Sequence, residues 1–111
     1  MTELNVAVEK LIDIIRVTEV YKEYERQKEK VNRIPDLKAQ IDTFRIRNFE
    51  IQNLSDDADV FQKIEDFERE YESFRENPIV SDFLSAELAL CRMMQEINIR
   101  LTAALDFDLN V

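Results

Sequence analysis

The sequence predicts an all-α protein of about five helices in a small bundle, ending in one long apolar helix. Three observations predict it. The 111-residue chain has no glycine. Tight hairpins and phosphate-cradling loops need residues that tolerate positive φ, so a chain without glycine suits helices better. Its two prolines, Pro35 and Pro78, each stand between long runs of helix-forming residues. Apolar side chains also recur at three- and four-residue steps along most of the chain.

The N-terminal helix is expected over residues 3–16, within a segment 1–17, with Leu4, Val8, Leu11, Ile12 and Ile15 on one stripe. Thr18 is a candidate cap for a second helix whose Tyr21, Tyr24 and Val31 share a face. Its other faces are charged, with Glu19/Glu23 and Lys22/Arg26 a turn apart. Pro35 is expected in the first turn of helix three, where its missing N–H would have no partner. It also disfavours helical geometry at Ile34, so helix two should end nearby.

Helix three is expected from about 35 to 54, with Leu37, Ile41, Phe44, Ile51 and Leu54 as its main stripe and Ile46 and Phe49 beside it. Ser55, Asp56 and Asp57 are candidate N-caps for helix four. There, Val60, Ile64, Phe67, Tyr71 and Phe74 repeat at steps of 4, 3, 4 and 3, the rhythm of helices packed side by side. The segment 18–76 thus holds three charged helices. Asn77 is a good cap and Pro78 a good first residue for helix five, so a joint forms there without glycine.

Helix five occupies most of 77–106, before a short tail at 107–111. Phe83, Leu84, Leu88, Cys91, Met94, Ile97, Leu101 and Leu105 form its stripe, and further apolar residues surround them. A surface helix usually keeps one face polar. This one is expected to be central or covered by another subunit, making the stripe the candidate interface of a homodimer or other homo-oligomer.

The formal charge is −9, which argues against direct nucleic-acid binding, since that affinity comes mostly from neutralising phosphates. Residues 16–50 hold nine basic and seven acidic side chains, whereas residues 56–82 hold three basic and ten acidic. Helices two and three should therefore attract helix four weakly, or the contrast steers a basic partner. No apolar run approaches the roughly 20 residues that span a bilayer. The N-terminus does not read as a signal peptide. At 111 residues a single domain over 1–111 is expected, and a lone cysteine, which cannot form an internal disulfide, suits a cytoplasmic protein.

Chemistry is sparse. The chain has no histidine, which removes the commonest general base and most zinc and di-iron motifs. Glutamate pairs such as Glu65/Glu68, Glu68/Glu72 and Glu19/Glu23 lie in charge-rich runs typical of solvated surface. Tyr21, Tyr24 and Tyr71 lie on or beside apolar stripes, where core rings with edge hydroxyls are expected. Cys91 is expected to be a small hydrophobe whose thiol apolar burial quiets. No catalytic residue, cofactor or metal site is assigned.

TEVYKEYERQKEKVNRIPDLKAQIDTF resembles the first block of the YlbF/YmcA family of bacterial regulators, and ENPIVSDFLSAELALCRMMQEINIRLTAAL its second. Asn77, Pro78, Val80, Phe83, Ala86, Glu87, Leu90 and Ile97 carry the second resemblance, and the blocks together span about residues 18 to 105. The resemblance implies a small helical fold that forms homo- or hetero-oligomers in Gram-positive bacteria. It implies roles in competence, sporulation and biofilm formation, by assisting RNA processing by a membrane-associated endoribonuclease, as protein partners and not enzymes. Some members hold iron–sulfur clusters in a mixed complex through cysteines near the C-terminus. This chain ends DFDLNV and has only Cys91, which argues against a cluster.

The reading is therefore a non-enzymatic regulatory adaptor, partnered by its own copies, related regulator subunits or the endoribonuclease complex. Its alternatives are an iron–sulfur sensor sharing a cluster through Cys91 and a purely structural helical oligomer.

Overall fold

Thr18 explains the first turn of the chain. Its hydroxyl donates to the Ile15 carbonyl at 2.7 Å and accepts the Tyr21 N–H at 3.1 Å. One side chain thereby closes the C-terminus of the first helix and caps the second. In this computed structural model, which describes residues 2–54 and 59–106, the helices are α1 (Thr2–Arg16), α2 (Glu19–Asn32), α3 (Leu37–Gln52), α4 (Val60–Glu76) and α5 (Pro78–Ala104). There is no strand among the described residues.

The last joint forms as expected. Asn77 Oδ1 accepts the Ile79 N–H at 3.0 Å and Pro78 is the first helical residue. The joint at Pro35 differs. α2 ends at Asn32, near the expected place, but α3 begins only at Leu37. Pro35 lies before the helix and not in its first turn, because Asp36 takes a left-handed φ of 66° that interrupts helical geometry. Ser55, Asp56 and Asp57 lie outside the described residues, and α4 starts after Asp59, whose side chain makes no cap hydrogen bond.

The chain divides into two compact units, one running from Gln27 to Phe83 and the other holding the described residues before and after it. The Gln27–Phe83 unit has a core. Val31, Leu37, Ile41, Phe44, Phe67, Val80 and Phe83 are buried in it. The α4 stripe faces that core: Phe67 is buried, and Val60, Ile64, Tyr71 and Phe74 are half-buried. Phe44 stacks on Phe67 at 5.7 Å between ring centroids and meets Tyr71 at 5.1 Å and Phe74 at 5.6 Å. Arg47 bonds Glu70 while Phe44 reaches Phe74, so α3 and α4 run antiparallel. Each buried phenylalanine contributes about 1.5–3 kcal/mol of transfer free energy, with a smaller increment for ring pairing.

The other unit contains α1, the first part of α2 and α5 from Leu84. Ala86 is its buried hydrophobic residue among those described. Nothing on α1 is buried. Its stripe is present as periodicity but is not enclosed, and Ile12 and Ile15 are only half-buried.

Candidate functional site

The residues expected to form an interface separate into three environments. Phe83 is core: it is 1% exposed, and the Arg45 guanidinium stands 5.7 Å over its ring. Leu84 and Ile97 are half-buried. Leu88, Met94, Leu101 and Leu105 are exposed, from 39% at Met94 to 73% at Leu105. Cys91 corrects an expectation, for it is exposed and is not a buried hydrophobe. A 27-residue helix turns its side chains through every direction, and position 91 falls on an uncovered one.

Sequence reasoning placed this exposed apolar surface on α5 and missed the share contributed by α1. Leu4, Val6, Val8, Leu11 and Ile14, with Val17 just beyond, are exposed by 37% to 66%. The missed signal was Val6, Ile14 and Val17, apolar residues off the main stripe, which widen the apolar face of a helix too short to hide them. Scattered surface hydrophobics are ordinary, but here many stand in the unit whose buried hydrophobic residue, among those described, is Ala86. Pro35, Asn77 and Pro78 mark helix joints and take no part in it.

A polar arrangement the sequence reading did not anticipate lies on the Gln27–Phe83 unit. Arg47 of α3 donates to Glu70 of α4 at 2.6 Å and to the Tyr71 hydroxyl at 3.2 Å. Its guanidinium also stands 5.1 Å over the Tyr71 ring, and that of Arg75 stands 5.5 Å over Phe44. The Arg47 hydrogen bond holds the Glu70 carboxyl below its ordinary value, and Glu70 with Tyr71 raises that of Arg47. Asp42 is lowered likewise by its hydrogen bond from Lys38. The expected weak attraction between the basic and acidic helices thus has one geometric form in Arg47–Glu70. Tyr71 is half-buried with its hydroxyl at the edge, as expected of a core tyrosine.

Among the described residues no group of three or more Cys, Asp or Glu side chains is placed to hold a metal ion, and no helix is long and apolar enough to cross a membrane. The model of the family described as control of competence regulator ComK, YlbF/YmcA, matches residues 6–106. The chain belongs to the YlbF/YmcA family. That match runs through both units, so the weakly covered α1 and α5 are part of the YlbF/YmcA region and not an appendage to it. No curated protein and no solved structure gives a significant match to this YlbF/YmcA chain.

Proposed function

We propose that this YlbF/YmcA protein is a non-enzymatic regulatory adaptor whose α1 and C-terminal α5 surface pairs with a second copy of the chain. One observation carries the reading. Among the described residues, eleven large apolar side chains stand exposed in the unit whose one buried hydrophobic residue is Ala86: Leu4, Val6, Val8, Leu11, Ile14 and Val17, then Leu88, Met94, Ile99, Leu101 and Leu105. Their apolar area is of the order of the roughly 800 Å² per partner that a standard interface buries. The family's description as control of a competence regulator supports a regulatory role. The partners suggested by the family resemblance, related regulator subunits and an endoribonuclease complex acting in RNA processing, would then meet an assembled oligomer.

The test is sedimentation at tens of micromolar. The unaltered protein should sediment as a dimer or larger. Leu88→Lys with Met94→Lys should give a monomer that keeps most of its helical circular dichroism. A monomeric unaltered protein would end the self-association reading. The exposure of Cys91 favours examining a second reading, a cluster shared between chains. Anaerobically purified protein that is colourless, with a thiol count unchanged by iron, would dispose of it.

A further inference from the structure

A second surface has the chemistry of a cation site. The groove between α3 and α4 has a volume of about 400 Å³ and is lined by Asp36, Ala39, Gln40, Thr43, Tyr71 and Phe74. All six belong to the Gln27–Phe83 unit, whereas the exposed residues assigned to self-association belong to the other unit. We infer that this groove receives an arginine side chain from a protein partner.

Asp36 is the first reason. It occupies the cap position of α3, where an aspartate ordinarily accepts a helix N–H, yet its side chain makes no cap hydrogen bond. It forms no ion pair with a described residue. Its backbone meanwhile holds the left-handed φ of 66°. Asp36 thus brings to the groove lining a carboxylate that is engaged neither as a helix cap nor in an ion pair with a described residue.

The rings are the second reason. In the adjoining aromatic cluster, guanidinium groups already lie over Tyr71, Phe44 and Phe67 at 5.1–5.7 Å. Among the described residues none lies over Phe74, which faces the groove. A cation over an aromatic face gains from the ring quadrupole, most when it is also desolvated. Gln40 and Thr43 add oxygen acceptors suited to the several N–H groups of a guanidinium.

Charge selects the ligand class. Among the residues that line the groove Asp36 is the charged one, and none is basic. An anion would meet the Asp36 carboxylate and negative ring faces. A purely apolar segment would strip water from Asp36, Gln40 and Thr43 without replacing their hydrogen bonds. A guanidinium on an aliphatic stem answers the carboxylate, the rings and the polar wall together.

The experiment is a nuclear magnetic resonance titration of the full-length protein with a blocked arginyl-leucine amide at physiological salt. Parallel titrations use the same peptide carrying neutral citrulline, and spermidine. Saturable shifts should centre on residues 36–43 and 71–74, with citrulline binding about tenfold weaker through loss of the charge-assisted hydrogen bond. Asp36→Asn, which suits left-handed geometry, should weaken the arginine peptide about tenfold, and Asp13→Asn should not change it. Shifts spread over the whole acidic surface, equal binding by citrulline or spermidine, or an unaltered response in Asp36→Asn would overturn the proposal. Sedimentation of Asp36→Asn should match the unaltered protein, so failure here and failure of self-association are read separately.

Discussion

Phe83 and Phe61 are the same residue in opposite circumstances, 1% and 86% exposed. Phe83→Ala should lower stability by about 3–5 kcal/mol, because the lost transfer energy is joined by a cavity. Phe61→Ala should change it by no more than about 0.5 kcal/mol, and urea denaturation measures both. Burial of Phe83 was not legible from its place on the α5 stripe, where it lies on the same face as exposed Leu101, five full turns further on. Periodicity assigns a side chain to a face; neighbouring elements decide whether that face is covered. Glu70 makes a pH prediction at the same scale. Its carboxyl is depressed below the ordinary 4.5 by the bond from Arg47. The bond's contribution is therefore fully present above that ordinary value and is lost as pH falls through the depressed one. Glu70→Gln should flatten the loss of melting temperature between neutral and acidic pH, by an amount kept small by solvent exposure. An unchanged pH profile would remove the bond from the stability account.

At the scale of elements, helix starts were readable where a side chain does the capping. Thr18 and Asn77 each bond an N–H two or three residues ahead. Thr18→Ala should cost about 1 kcal/mol by losing that bond. The start of α3 was read about two residues too early, since Pro35 permits a helix start and the left-handed turn at Asp36 postpones it to Leu37. This position tests itself. Asp36→Val should destabilise by about 1–2 kcal/mol, because a branched side chain tolerates positive φ poorly. Thermal denaturation of the valine variant equal to the parent would refute the strain argument. The heptad spacing of α4 was the most reliable signal, and it led directly to the aromatic cluster with Phe44.

At the scale of the molecule, the two units differ in how much core a single chain supplies. If a second copy completes the surface of α1 and α5, folding is linked to association by mass action. The melting temperature should then rise with protein concentration over a range from about one to one hundred micromolar, and the Leu88→Lys, Met94→Lys variant should lose that dependence. A concentration-independent melting temperature in the unaltered protein would count against pairing.

The absence of glycine, the capping residues and the helical spacing of apolar side chains were enough to establish an all-helical chain and nearly all its helix positions, because these are effects between residues close in sequence. The arrangement of Arg47, Glu70 and Tyr71, the groove beside Asp36 and the uncovered state of α1 were decided only by tertiary structure. Arg47 stands more than twenty residues from Glu70 and Tyr71 in the chain. Local spacing carries no information about which faces meet.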